Sequence, residues 1–278
     1  MMIQSSDDKI THLEEITRRI RGELVQISHM TNTPHLGSSL SCVDILVAAY
    51  WMALNIDPAD PLDLNRDRFI LSKGHAAPAL YTALAYRGFF PIEQLQDYAK
   101  PGSLMAEHPS WRSVPGVEAT TGSLGHGLSI GLGMAIAGRI QYQSYHVFVV
   151  ISDGECNEGT IWEAAMLASA QGLNKLVVIV DFNKWQATGR SREVMAIDPL
   201  KAKWEAFGWS TYETDGHDLK TLVNLLTNVP DSSGKPIAIV AHTVKGKGVS
   251  FMEDDNNWHY RIPTVTEVEL AKRELHLI

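Results

Sequence analysis

Apolar side chains recur at Ile10, Leu13, Ile16, Ile20, Leu24 and Ile27. That period predicts an amphipathic helix over residues 8–29, with Asp7 or Asp8 as its cap. Val43 to Leu54 is a denser apolar run and predicts a more buried helix. Asn55 to Arg68 holds two prolines, four aspartates and two arginines, the composition of a surface loop. A short strand is expected at Phe69–Ser72, then a helix from about Pro78 to Arg87, closed by Gly88. Residues 100–126 show no period. Loops of that length in compact proteins are usually functional or disordered, and Leu104, Met105, Trp111 and Val117 argue against disorder. Residues 127–138 read Gly-Leu-Ser-Ile-Gly-Leu-Gly-Met-Ala-Ile-Ala-Gly. Glycine costs about 1 kcal/mol per site in a helix, so such a run makes sense where helix backbones pack closely.

The second half is more regular. Val147 to Ile151 and Leu176 to Val180 are continuous apolar runs, as strands buried on both faces would be. A helix from about Thr160 to Gln171 joins them, followed by Gly172. This is a βαβ unit with parallel strands. Further strands are expected at Trp209–Glu213 and Ile237–His242, with a helix at about Leu219–Leu226 between them. The pattern implies an α/β fold, a doubly wound, mostly parallel sheet with helices on both faces. With no repeat, low-complexity stretch or linker, residues 1–278 are expected to form one domain.

Composition narrows the function. The 24 Lys+Arg against 32 Asp+Glu give a net charge of −8, which argues against a general nucleic-acid binder or a polybasic membrane anchor. The two cysteines, Cys42 and Cys156, cannot make a disulfide framework or a four-cysteine zinc site, and fit a reducing cytosol. The N-terminus has no apolar signal core, and no stretch approaches the roughly 18 apolar residues of a membrane helix. A soluble, cytoplasmic protein is expected.

In open α/β sheets, ligands bind at the carboxyl ends of the strands. Two loops leave such ends: Ser152-Asp153-Gly154-Glu155-Cys156-Asn157-Glu158-Gly159, and Asp181-Phe182-Asn183-Lys184-Trp185-Gln186. The first nearly matches a P-loop but lacks its lysine and carries three acids. Like charges about 4 Å apart cost about 1 kcal/mol in water and about 4 at a near-surface effective dielectric. A divalent cation reverses that sign. The Asp153 carboxylate, the Asn183 amide oxygen, a backbone carbonyl of the second loop and two diphosphate oxygens would make an all-oxygen shell suited to Mg²⁺. Gly154 and Gly159 would let the backbone approach the phosphates. The dinucleotide fingerprint G-x-G-x-x-G is absent after every expected strand.

The spacing of Asp153-Gly154 and Asn183 is similar to the thiamin diphosphate signature, an acid-containing turn followed by a metal-binding asparagine about 30 residues later. Five further segments resemble transketolase motifs, in the same order: His35-Leu36-Gly37 with Ser38 to Ile45, Leu71-Ser72-Lys73-Gly74-His75-Ala76, Gly116 to Gly125, Asp153 to Trp162, and Trp258-His259. The resemblance spans roughly residues 10–260 and is to the N-terminal, diphosphate-binding half of transketolase. Ser152 departs from the family's first glycine at that turn, which suits a backbone not at positive φ. Trp185 departs from an aliphatic residue, of which only the carbonyl is needed for the metal. In the family a glutamate of the pyrimidine-binding domain activates the cofactor and arginines bind the substrate phosphate; the resemblance implies that these are supplied by a separate chain.

The resemblance implies thiamin diphosphate with Mg²⁺ (or Ca²⁺ or Mn²⁺), the metal on Asp153, Asn183 and the Trp185 carbonyl. It implies cofactor contacts from His75, Gly122, Ser123, Leu124, Gly154, Glu155 and His259, and catalytic roles for His35, His75, His108, His259 and Glu158. Glu158 and Glu163 resemble carboxylates that link two active sites across a dimer interface. Each residue also has a plainer reading. Asp153 and Asn183 are good helix and turn caps. A single histidine is usually structural, as His126 is here taken to be. Gly122 and Leu124 suit a tight turn before a packed helix, and Glu158 and Glu163 suit a helix N-terminus. Lys245 and Lys247 could reach a phosphate or sit on a mobile charged loop. Cys156, in an acidic turn, is given no nucleophilic role.

The activity implied is transfer of a two-carbon ketol unit from a ketose phosphate to an aldose or aldose phosphate. It would require a second subunit carrying the pyrimidine-binding and C-terminal domains, in a heterotetramer of two copies of each chain. A housekeeping pentose phosphate role and a catabolic role on an unusual sugar phosphate both fit. The alternatives are a related thiamin diphosphate enzyme using pyruvate or another acyl donor, and a non-catalytic cofactor-binding module. The histidine set favours a polyhydroxylated donor.

Overall fold

The computed structural model describes residues 6–278. Its helices are α1 (Ser6–Thr31), α2 (Leu36–Ser41), α3 (Val43–Ala48), α4 (Ala77–Arg87), α5 (His126–Ile140), α6 (Gly159–Ala170), α7 (Ser191–Val194), α8 (Leu200–Ala206), α9 (Leu219–Thr227) and α10 (Val265–Glu274). Its strands are β1 (Arg68–Leu71), β2 (Val147–Ser152), β3 (Leu176–Phe182), β4 (Ser210–Asp215) and β5 (Ile237–His242). They form one five-stranded sheet in the order β1-β2-β3-β5-β4. All four pairings are parallel. The expected βαβ unit is present, with β2 and β3 adjacent and Ser152 beside Asp181.

Helices cover both faces, which explains why the central strands are apolar until their carboxyl ends, where Ser152, Asp181 and His242 stand. Phe148, Val150, Val177, Ile179, Ile237 and Ile239 pack into the layer of α1, α3, α4 and α9. Val147, Val149, Ile151, Val178, Val180 and Val240 pack into the layer of α5, α6 and α8. Among the described residues, no helix is long and apolar enough to cross a membrane.

Several expectations need correction. Asp7 and Asp8 lie inside the first turn of α1, where acids favour the helix dipole, and do not cap it. The helix expected from Val43 starts earlier, at Leu36, breaks at Cys42, and ends in a π-helical turn at Ala49–Ala53. The strand expected from Trp209 begins at Ser210. Trp209 instead buries its ring, and its indole donates to Ala165 O at 3.0 Å. The short helices α7 and α8 had no legible period. Helix α10 did carry a signal, the capping box Thr264–Glu267, with both reciprocal hydrogen bonds formed. Gly88 ends α4 at φ 95°, as expected.

The glycines of α5 serve a different neighbour from the one expected. A methyl on Gly131 would sit 2.6 Å from Val149 Cγ2, and one on Gly127 would overlap Ser72, so this helix face lies directly on the sheet and on the end of β1. Gly133, on the exposed face, has nothing within 4 Å of such a methyl. The two positions therefore predict opposite signs in urea melts of the chain. Gly133→Ala should stabilise by roughly 1 kcal/mol through helix propensity. Gly131→Ala should destabilise by about 1–2 kcal/mol, because overpacking outweighs the same gain. Equal effects would show that the α5–sheet contact yields freely.

Candidate functional site

Parallel strands deliver their outgoing loops to one edge of the sheet. There β1 leads into Ser72-Lys73-Gly74-His75, β2 into Asp153, β3 into Asn183, and β5 into Thr243-Val244-Lys245. Glu155 ties two of these segments, the loops after β1 and β2, to the turn before α5. Its fully buried carboxylate accepts from the Ser72 hydroxyl, from Gly125 N at 2.9 Å and from Ser152 N at 2.8 Å. Burial pushes its pKa up against these hydrogen bonds. The direct cofactor contact expected of Glu155 is not what this geometry offers. The carboxylate faces inward and positions the loops. Ser152 is not among the positive-φ residues, so serine is tolerated where a glycine was expected.

Asp153 is fully buried and Asn183 nearly so. Asp153 Oδ2 accepts from Lys184 N at 3.0 Å and from Ser191 Oγ at 2.7 Å, and Oδ1 accepts from Gly154 N at 3.0 Å. Contact with the amide next to Asn183 places both expected metal ligands at one point of the sheet edge. Asn183 Oδ1 accepts from Trp185 N at 3.1 Å, and its Nδ2 donates to Ser41 Oγ at 3.4 Å. The Trp185 ring turns away: its Nε1 donates to Asp254 Oδ1 at 2.8 Å, and Arg190 stacks on it at 3.7 Å. Only Trp185's backbone is left for the site. Burial pushes the Asp153 carboxyl up to about 7, against the hydrogen bond from Ser191. The nearby ammonium of Lys73 is committed to Asp181 instead. Among the described residues, no group of three or more His, Cys, Asp or Glu could hold a metal. One buried acid, one amide and a backbone carbonyl suit a hard cation that brings further oxygen ligands with it.

Beneath these residues lies a polar network that sequence reasoning missed. Lys73 and Asp181, both 0% exposed, form an ion pair. Lys73 Nζ also donates to Ser38 O at 2.8 Å, and Asp181 accepts from Ser41 Oγ at 2.7 Å and from the Thr243 hydroxyl. Burial opposes the lysine's charge, but Asp181 outweighs it and holds the pKa above the ordinary lysine value. The signal was present: a lysine inside the Leu-Ser-Lys-Gly-His segment, and an acid at the end of an apolar strand.

Four histidines converge beside this edge. His35 starts α2 at φ 70°, and its N donates to His259 O at 2.9 Å. The ring of His35 lies 5.4 Å from that of His75 and 4.9 Å from that of His259. His108 packs on Gly122, where a methyl would sit 2.6 Å from its Cδ2. Burial, then His108 and Lys245, lowers His35 to about 4. Burial, then Lys245 and His35, lowers His259 to about 3. Burial, then Lys73, lowers His75 well below its ordinary value. These three imidazoles are neutral near pH 7, so each can donate through one nitrogen and accept through the other.

The remaining singled-out residues divide between exposed and buried positions. Gly122 has φ 131° and passes so close to Gly74 that a methyl on Gly74 would meet Gly122 N at 2.6 Å. Ser123, Leu124 and His126 are exposed, and His126 Nδ1 lies 3.3 Å from Leu124 O, away from the histidine cluster. Glu158 and Glu163 are exposed on α6, and Glu158 makes no side-chain cap. Lys245 is fully buried and reaches His259, whereas Lys247 is partly exposed and pairs with Glu253 at 3.6 Å. Cys156 is buried, and its thiol is pushed well above its ordinary pKa by burial and by Asp153 and Glu155.

The family described as "Transketolase, thiamine diphosphate binding domain" matches residues 14–277. The chain belongs to this transketolase family. It is 38% identical over 267 residues to an apulose-4-phosphate transketolase chain of Phocaeicola vulgatus, covering 96% of this chain and 95% of the relative. It is 43% identical over 219 residues to a 6-deoxy-6-sulfo-D-fructose transketolase chain of Clostridium sp., covering 79% and 80%. The names of both relatives describe them as subunits. Among solved structures, transketolase from Campylobacter jejuni superposes with a TM-score of 0.88 at 27% identity, and that from Leishmania mexicana with 0.89 at 27%. Both comparisons cover 95% of this chain, but it spans only 42% and 41% of those transketolases.

The buried Asp153 generates a pH prediction. Its folded pKa lies above the unfolded value of about 3.9. The folded state therefore holds the extra proton between the two values, and the Asp153 contribution to stability falls as pH rises toward about 7. Histidines 35, 75 and 259, held neutral by burial, contribute with the opposite sign below about 6.5, so the Asp153 share is read as the difference between Asp153→Asn and wild type. In urea melts of the metal-free chain from pH 5 to 8, the stability of Asp153→Asn relative to wild type should rise with pH, by on the order of a few kcal/mol at pH 8. A difference that does not change with pH would assign the buried proton to another group.

Proposed function

We propose that this chain is the cofactor-holding subunit of a two-chain transketolase, transferring a two-carbon ketol unit from a ketose phosphate to an aldose or aldose phosphate. The observation that carries the reading is the meeting of neutral histidines 35, 75 and 259 with the Asp153–Asn183 strand ends at one sheet edge. Lys245 links the two halves of the site, since it bonds His259 and feels the charge of Asp153.

When bound, thiamin diphosphate supplies the electron sink for breaking the donor's carbon–carbon bond. Asp153, Asn183 and the Trp185 carbonyl would hold Mg²⁺, with Ca²⁺ or Mn²⁺ as substitutes of the same ligand preference. Gly154, His75 and His259 would contact the diphosphate, and Gly122, Ser123 and Leu124 the aminopyrimidine. His35 and His108 would hold the sugar oxygens and move their protons, and His35, held neutral by burial, can donate through one nitrogen and accept through the other. Glu155 acts indirectly, through the loops it clamps.

The site is open on this chain: His108, Ser123, Leu124 and Glu158 are all exposed. That supports a partner chain closing over it, with Glu158 and Glu163 reaching the interface of a cytoplasmic heterotetramer. Two relatives named as subunits of an apulose-4-phosphate transketolase, in Phocaeicola vulgatus and Actinobacillus succinogenes, point the same way. The names of the relatives include both a sugar phosphate and a sulfo sugar, so the donor is taken to be a ketose with an anionic end.

The deciding experiment co-expresses the chain with the product of the neighbouring open reading frame. Ketol transfer is then assayed with each chain alone and with both. Activity is expected only with both chains, Mg²⁺ and thiamin diphosphate present. Transfer by this chain alone would overturn the two-chain reading, and cofactor binding without transfer by any combination would favour a regulatory module. His35→Ala and His108→Ala should each lower kcat by about 10²–10⁴-fold, the usual contribution of acid–base catalysis, with little change in thiamin diphosphate affinity.

A further inference from the structure

Lys245 is a charged residue with no access to solvent. Its backbone explains the burial. Gly246 N donates to Gly37 O at 3.0 Å, and Gly246 adopts φ 80° with no room for a side chain beside Met252. The Lys-Gly turn therefore aims Lys245 inward, past Gly37, where a methyl would sit 3.1 Å from its Cγ.

The lysine's contacts set a direction of hydrogen bonding. Nζ lies 2.7 Å from Asn256 Oδ1 and 3.1 Å from His259 Nδ1. Asn256 Nδ2 donates to Ala187 O at 3.2 Å, which fixes the amide with its oxygen toward the lysine. An ammonium has only donors, so Nζ donates to Asn256 and to His259 Nδ1. A neutral imidazole that accepts at Nδ1 carries its proton on Nε2. His259 Nε2 has no hydrogen-bond partner among the described residues, and the residue is only partly buried. The ring stands edge-on to His35 at 4.9 Å and lies 6.0 Å from His75.

We propose that Lys245 is a positioning residue that locks His259 in its Nε2–H tautomer, so that a neutral donor is presented to the cofactor diphosphate beside His35 and His75. This rests on the reading given under Proposed function. Lys245 also contributes charge. Among the described residues it forms no ion pair with a carboxylate, and burial together with Lys73 lowers its pKa to about 8. A buried ammonium without an acid partner is costly unless an anion offsets it, and a diphosphate is such an anion. The charged and titratable groups around it are Lys73, Asp153, Asp181, Asp255, His35 and His259.

Two variants separate tautomer from charge. Lys245→Met keeps the length but can neither donate nor carry charge. Lys245→Gln can still donate to Nδ1 but is neutral. In ¹⁵N spectra of the full chain, with His259→Gln used for assignment, wild type should show Nδ1 unprotonated and Nε2 protonated. Lys245→Met should lose that signature and Lys245→Gln should recover it. In the two-chain complex with Mg²⁺, Lys245→Met should weaken thiamin diphosphate binding by about 10- to 100-fold, the range for one charged hydrogen bond. Affinity for unphosphorylated thiamin should stay as in wild type. An Nδ1–H signature in wild type, or an unaltered His259 spectrum in Lys245→Met, would overturn the proposal. The spectra require no turnover, so they stand even if the complex shows no ketol transfer, whereas loss of transfer in wild type would count against the transketolase reading alone.

Discussion

The Lys73–Asp181 pair holds the sheet edge together. Five parallel strands ending on one side crowd their loops into a small volume, and this ion pair lies at the bottom of it, out of reach of water. Lys73 leaves β1 and Asp181 belongs to β3. Ser38 and Ser41 belong to α2, and Thr243 follows β5. Four separate stretches of chain thus share one pair of charges. Removing either charge would strand the other, a loss of about 3–5 kcal/mol for a buried pair. The same pair takes up the nearest ammonium, which leaves the Asp153 carboxyl buried without a cation of its own.

A second buried network braces the same edge from the other side. Asp44 on α3 accepts from Arg21 on α1 and lies 2.6 Å from His217 Nδ1. His217 Nε2 accepts from Val244 N at 2.9 Å. Burial acts to raise Asp44, but Arg21 and His217 outweigh it and hold the carboxyl below its ordinary pKa. The segment that carries Thr243 and Lys245 is therefore pinned from both sides. Together with Glu155, which clamps the loops after β1 and β2 to the turn before α5, these contacts make a stiff floor under a site whose upper rim is exposed. The floor is thus preorganised while the rim stays exposed, the arrangement the proposed two-chain site calls for.

What could be read from residues alone follows a physical rule. Strands β2, β3 and β5 are legible because burial on both faces makes a continuous apolar run of all but their carboxyl-end residues. Edge strand β4, only half buried, gave blurred boundaries. The break at Cys42 between α2 and α3 was invisible, because it lies next to Ser41, whose hydroxyl reaches Asp181, 140 positions away. The capping box of α10 was legible, yet apolar periodicity alone passed over it.

The site divides in the same way. Residue types and their order established the strand-end acid and asparagine, the histidine-bearing segments and the family resemblance, because motif spacing reflects local chain geometry around a ligand. Tertiary structure decided which polar groups face one another. Glu155 became a clamp because its loop turns under Ser72 and Gly125. The Trp185 ring was drawn off to Arg190 and Asp254. Lys245 became an interior charge because Gly37 and Gly246 let two distant segments touch. Hydrogen-bond partnership depends on which segments folding brings within about 3 Å, and a linear chain does not encode that distance locally.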